Sequence, residues 1–214
     1  MFVTEESSSN RLIKNGGFIM KNFKNDVSYV SAECAAAAIK SGDTIWVGNT
    51  TGISNAFLEA LAKRQNELKD VTILANKGSV PCNILDELKY RDSFHVLSFF
   101  KDALVQAYEG SDKEEKTKFL MSGTKTAIEM ICKQFGVNTI AIGVCPSDSD
   151  GYCSLGKSGA FLTLAFNNYN GITNRIAIID DDIPSATGNK GENEISLSQF
   201  DFICSDACIQ ANAS

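Results

Sequence analysis

The residues with the most chemical promise lie in one run, Cys145-Pro146-Ser147-Asp148-Ser149-Asp150-Gly151-Tyr152-Cys153-Ser154-Leu155-Gly156. Pro146 stops a preceding strand, Asp148 and Asp150 are placed to bond nearby backbone N–H groups, and Gly151 and Gly156 permit positive φ in a compact loop. Such a run serves a ligand, or it serves only a long rigid loop at a strand end. Cys153 would act as a nucleophile only beside a base or a positive charge, and its sequence neighbours are acids. A second candidate is Gly48-Asn49-Thr50-Thr51-Gly52, in which Gly48 and Gly52 flank a turn that runs into a helix start. Missing side chains there would let a phosphate, carboxylate or thioester oxygen approach backbone N–H groups. The spacing is neither the dinucleotide G-x-G-x-x-G nor a P-loop, and a plain pair of turn glycines fits it equally.

Other chemistry is poorly supplied. Seven cysteines form an odd set without C-x-x-C spacing, which argues against a disulfide framework and leaves most of them as small buried hydrophobes. Cys204 and Cys208 are the closest pair, and His95, the one histidine, is far away in sequence, so the case for zinc is weak. Acidic residues outnumber basic ones by 26 to 20 and no Lys/Arg stripe is present, which makes nucleic acid an unexpected partner. An anionic ligand would instead rest on helix-start N–H groups with single lysines such as Lys157.

The elements that must position these residues alternate. Ser31 caps an alanine-rich helical segment, Ala32 to Lys40, which Ser41-Gly42-Asp43 ends. Thr44 to Val47 reads as a buried strand, and Ser54 or Asn55 caps a helix with Phe57, Leu58, Leu61 and Ala62 on one face. Strands follow at Val71 to Ala75 and Phe94 to Phe100, with a short helical candidate at Ile84 to Leu88. Lys101 to Gly123 is charge-rich and reads as a surface insertion. Thr124 to Phe135 has helical spacing, Val137 to Val144 suits a central parallel strand, Ala160 to Tyr169 is helical, and Arg175 to Ile179 is a strand broken by Asp180 to Pro184.

This order predicts an α/β fold: a mostly parallel, doubly wound sheet flanked by helices. Ligands of such sheets bind outside the carboxyl ends of the strands, so the loops after Val47, Val144 and Ile179 are the candidates. At 214 residues, 43% apolar and 21% charged, the chain is expected to hold one domain at 31–214 behind a flexible extension at 1–30. No apolar run approaches the ~20 residues of a membrane span and the N-terminus lacks an apolar signal core, so no membrane partner and a cytoplasmic location are expected.

Cys145 to Gly156 resembles the S-P-P-D-x-x-G-x-x-S-x-G signature of the acetyl-CoA hydrolase and CoA-transferase family, which includes 4-hydroxybutyrate CoA-transferases. Ser31 to Asp43 (SAECAAAAIKSGD) is similar to the family's "EA…IKSGD" helix and turn, and Asn55 to Leu74 to its next helix and strand. Arg175 to Asp201 resembles its strand, "vP…G" loop and "SeiD" close, through Ile183-Pro184, Gly188, Ile195, Ser198 and Asp201. Residues 90–140 match poorly. Cys145 and Ser147 replace the family's Ser and second Pro, and Ile178 and Asp180 stand where Glu and Asn are usual.

The resemblance implies the CoA-transferase fold and the amino-terminal half of such an enzyme. It assigns Gly48, Asn49, Gly52, Asp148, Gly151, Ser154 and Gly156 to a cleft for substrate and CoA, with a backbone amide of Gly48–Gly52 aimed at the acyl oxygen. CoA and short-chain carboxylates are the implied ligands, CoA being a substrate, with no further cofactor and no metal. The family's attacking glutamate belongs to a carboxyl-terminal half, after a G-x-G-x-x-P-type loop. Glu33, Glu59, Glu87 and Glu129 stand in no such motif and read as helix-surface residues, so no catalytic residue is expected here. The implied partner is that half or a second subunit, and a homo-oligomer is compatible. Two other readings stay open: a sugar-phosphate isomerase, which would need a lysine near Asp148 or Asp180, and a non-catalytic assembly subunit.

Overall fold

The structure is a computed structural model that describes residues 13–14, 17–18, 29–49, 52–76, 82–98, 117–119, 131–156, 163, 165–167, 169–186 and 193–205. Strands β1 (Ile13–Lys14) and β2 (Gly17–Phe18) pair antiparallel. Eight further strands build one sheet: β3 (Tyr29–Val30), β4 (Thr44–Asn49), β5 (Val71–Asn76), β6 (Phe94–Ser98), β7 (Thr117–Phe119), β8 (Thr139–Val144), β10 (Asn174–Ile179) and β12 (Phe202–Ser205). Their order is β3-β12-β10-β8-β4-β5-β6-β7, and every neighbouring pair is parallel. The two remaining strands, β9 (Tyr152–Ser154) and β11 (Glu194–Ser196), form a small antiparallel sheet of their own.

Parallel strands need a cover on both faces, and alternation along each strand supplies two apolar surfaces. Ile45, Val47, Ile73, Ala75, Ala141, Ile176 and Ile178 face α1 (Ala32–Ala36), α2 (Asn55–Ala62) and α3 (Asn83–Asp86). Trp46, Leu74, Ile140, Ile142, Val144 and Ala177 face the opposite way, onto the helical residues 131–135 and 165–167 and onto β9 and β11. All six residues of β8 are buried, as a strand at the centre of such a sheet requires. The fold is therefore the doubly wound α/β arrangement that the alternation predicts.

Local caps follow the sequence. Ser31 Oγ accepts from Cys34 N and Ser54 Oγ from Phe57 N, so α1 and α2 start where a short polar side chain meets an orphan backbone donor. Helix α1 is shorter than the alanine run: past Ala37 the bonds tighten, Ala38 N to Ala35 O and Ile39 N to Ala36 O, and the Arg64 guanidinium from beyond α2 takes the carbonyls of Ala36 at 2.6 Å and Ile39 at 2.9 Å. At the starting ends of the strands, polar side chains stitch neighbours together. Asn138 Nδ2 donates to Asp43 Oδ1 at 2.7 Å, Asn174 Nδ2 donates to Thr139 Oγ1, and Asp201 Oδ2 accepts from Arg175 N at 2.8 Å.

Four expectations change. Strand β4 runs on through Gly48 and Asn49, which were expected in the following turn. Thr117–Phe119, expected within a surface insertion, is the sheet's edge strand, since Val96 to Ser98 pair with it in parallel. Tyr29–Val30 pair with Ile203 and Cys204, so the sheet takes two residues assigned to the extension. Tyr152–Ser154, expected as loop, is a strand because residues forty positions away return to pair with it. The rest of 101–123, most of the two helices expected at 124–135 and 160–169, and Lys157, Gly188 and Cys208 lie outside the described residues.

Candidate functional site

Connections leave β4 and β8 in opposite directions. From β4 the chain moves to β5, β6 and β7 on one side, and from β8 it moves to β10 and β12 on the other. Such a reversal leaves a crevice at the carboxyl ends of the two strands, because neither crossover covers the space between them. The pairing thins at this point: β4 and β8 pair only at Ile45 with Thr139 and Trp46 with Ile140, whereas β8 and β10 pair over all six positions. Beyond Trp46 the register of β4 shifts, and Gly48 takes φ +86°.

The glycines at this opening are used for close packing. A Cβ on Gly48 would lie 2.9 Å from the Gly52 carbonyl oxygen, and one on Gly143 of β8 would lie 3.2 Å from that same oxygen. Gly52 thus lies at the gap, and its buried carbonyl rests between the two strands. Gly48 is required by this backbone contact, whether or not a ligand also approaches it. Asn49 ends β4 at the mouth of the crevice.

The second loop is a built structure. Asp148 Oδ1 accepts from Asp150 N at 2.9 Å and Tyr152 N at 2.8 Å, and Gly151 turns the chain at φ +79° into β9. Asp148 is exposed and committed to its own turn, while the Gly151 carbonyl accepts from Leu197 N just past β11. Ser154 is buried; its Oγ donates to Ala186 O and accepts from Ala186 N and Gly156 N. It therefore clips β9 to the loop that follows β10. Gly156, at φ +58°, lies against that loop as well, where its Cβ would meet Ile183 Cγ2 at 2.9 Å.

All three loops predicted at the strand tips come together here. The sequence reading did not single out Gly143, and it carried Ile183 only as part of a family-like loop. An isolated glycine in an otherwise apolar strand was the available signal, since it marks a close approach of another chain segment. Cys153 points the other way, into the core against Ile195, and is fully buried. Burial first, then the proximity of Cys145 and Asp148, pushes its thiol up to about 12, which leaves it protonated and unreactive at neutral pH.

The described glutamates of the helical flank are engaged at the surface. Glu33 pairs with Lys63, Glu67 with Arg64 and Glu87 with Lys89, while Glu59 is exposed on α2. A backbone hydrogen bond and Lys63 hold the Glu33 carboxyl below its usual range. Glu129 lies outside the described residues. A groove of about 510 Å³ runs between α2 and α3, lined by Leu58, Glu59, Lys63, Cys82 and Ile84 among others, and includes none of the crevice residues. Among the described residues no cluster of His, Cys, Asp and Glu suits a metal ion, and no helix is long and apolar enough to cross a membrane. Cys204 is buried in β12 within the core.

No protein-family model and no curated protein matches the chain. Solved structures do. RipA from Yersinia pestis superposes with a TM-score of 0.71 at 20% identity over 83% of this chain, and 4-hydroxybutyrate CoA-transferase from Porphyromonas gingivalis with 0.56 at 18% identity over the same share. The chain spans 42% and 38% of those two proteins, less than half of either. The decarboxylase AibA/AibB matches with a TM-score of 0.54 at 10% identity, and there the alignment covers 82% of the matched chain. At these identities the likeness establishes the fold, an α/β domain shared with CoA-transferase structures.

Proposed function

We propose that this domain is the amino-terminal half of an acyl-CoA hydrolase or CoA-transferase that moves CoA between a short-chain acyl-CoA and a carboxylate acceptor. The observation that carries the proposal is the crevice where β4 and β8 part. Parts of the segments that resemble the transferase family, Gly48 and Gly52, Ser154 and Gly156, and Ile183–Pro184, pack against one another there. Fold likeness to 4-hydroxybutyrate CoA-transferase over 38% of its length supports a half-enzyme reading.

In this reading Gly48, Asn49, Gly52, Asp148, Gly151, Ser154 and Gly156 shape the wall of the cleft, and catalysis needs a carboxylate from a complement. A glutamate oxygen attacks the thioester carbonyl, CoA thiolate leaves, and the thiolate returns to the resulting anhydride to give glutamyl-CoA and the free acid. Reversal of these steps on an acceptor acid completes the transfer. Backbone N–H groups at the Gly52 turn, next to the start of α2, are the donors best sited to meet charge developing on the acyl oxygen.

Calorimetric titration with CoA, paired with a transferase assay, tests this. The chain by itself is expected to bind CoA weakly and to turn over no acyl-CoA, and activity is expected once a glutamate-bearing carboxyl-terminal half is supplied, fused or separate. Robust turnover by the chain alone, or no CoA binding with or without that half, would refute the proposal. A second reading is a non-catalytic assembly subunit; the AibA/AibB decarboxylase, where this fold makes up most of the matched chain, supports only that such a domain can stand as a separate chain. Binding of a partner chain without any CoA binding would decide for it.

A further inference from the structure

Ile183 is buried at 4% exposure, yet it belongs to neither of the two core clusters on the faces of the sheet. It sits instead at the strand tips. Its Cδ1 occupies the space a Cβ on Gly143 would need, at 2.7 Å, and its Cγ2 the space a Cβ on Gly156 would need, at 2.9 Å. Gly143 in turn abuts the Gly52 carbonyl, and Gly156 is bonded to Ser154, whose Oγ holds Ala186 by both its N–H and its C=O. Ile183 N donates to Asp180 O, and Asp180 N donates to Val144 O, which fastens the base of the same loop to β8.

We infer that Ile183 is a positioning residue, a wedge that locks the three crevice loops into one unit. One face of the side chain bears on the β4–β8 gap and the other on the β9 hairpin. Two glycines are kept clear of side chains to receive it. Interiors are close-packed, so removing the wedge is felt by whatever rests on it, and each branch of the side chain serves a different loop. This inference needs only the packing; it stands whether or not the crevice takes an acyl-CoA.

Hydrogen exchange on the full chain tests it, because the two branches can be removed in turn. Ile183→Val deletes Cδ1 and keeps Cγ2; exchange is expected to speed up roughly fivefold around Gly52 and Gly143 while Gly156 stays protected. Ile183→Ala removes both branches, and exchange should rise at Gly156 and Ala186 as well. In each variant β5 and β6 are expected to keep their protection. Ile183→Val should also relieve the Gly143→Ala variant, because it takes away the atom with which the new Cβ collides. Faster exchange confined to 180–186, or an equal rise throughout β5 and β6, would overturn the inference. CoA titration of the same variants reports on the proposed function separately: a parent chain that binds no CoA refutes that reading and leaves the exchange result to decide this one.

Discussion

The two ends of the parallel sheet are made in opposite ways. At the starting ends of the strands, neighbours are tied by polar side chains: Asp43 to Asn138, Thr139 to Asn174, and Asp201 to the backbone of Arg175. At the finishing ends Gly48, Gly143 and Gly156 are cleared of side chains so that the Gly52 carbonyl and the Ile183 side chain can enter, and Ser154 Oγ clips two loops together. The first end spends its polar groups on fixing register. The second leaves β4 and β8 unpaired beyond Trp46 and packs the Gly52 carbonyl between them. Register-fixing contacts and the proposed ligand crevice thereby occupy different ends of the same strands, so changes at one end need not disturb the other.

Substitutions can break this contrast. The largest effect is expected from Gly48→Ala, which combines a left-handed backbone at φ +86° with a Cβ 2.9 Å from the Gly52 carbonyl oxygen. A loss of about 3 kcal/mol in urea unfolding is expected, since a backbone atom cannot step aside as a side chain does. Asn138→Ala works at the other end. It removes the bond to Asp43 and should cost ~1 kcal/mol, leaving CoA titration unchanged; a lost ligand response would show that the ends are coupled after all.

A pH series sharpens the comparison within the β9 hairpin. Cys153 is raised from 9.0 to about 12 by burial, so the folded chain holds its proton more tightly than the unfolded chain. The stability this gives is present below pH 9 and lost as pH climbs toward 12. Unfolding of a Cys153→Ala variant should therefore show a shallower alkaline decline than the parent. Smallest of all should be Lys63→Ala on the helical flank, whose exposed pair with Glu33 is expected to contribute no more than about 0.5 kcal/mol.

Much of the scaffold was legible residue by residue. Ser31 and Ser54 cap α1 and α2 as short hydroxyl side chains before a helical face should, and Phe57, Leu58, Leu61 and Ala62 are buried on the face their spacing predicts. The strand at Arg175 to Ile179 and the apolar run ending at Val144 fall within a residue or two of β10 and β8. Less of the site could be read. Asp148 bonds nearby backbone N–H groups, as its place in the turn predicts, but Ser154, which the family resemblance assigns to the cleft, is engaged by the backbone of Ala186, 32 positions on. A short polar side chain in a turn has that alternative open to it, and sequence spacing does not choose between the two.

By itself the sequence determined α1, α2 and the central strands β4, β5, β6, β8 and β10 to within a few residues, and that the sheet is covered on both faces. These properties depend on neighbours a few positions apart, through side-chain periodicity and end caps. Only the tertiary structure decided that β4 and β8 part at their tips, that Glu194–Ser196 returns to pair with Tyr152–Ser154, and that Ile183 fills the space left by two glycines. Each of those contacts joins residues roughly 30 to 100 positions apart, and their energy comes from excluded volume and hydrogen bonds that exist only once the chain has closed on itself.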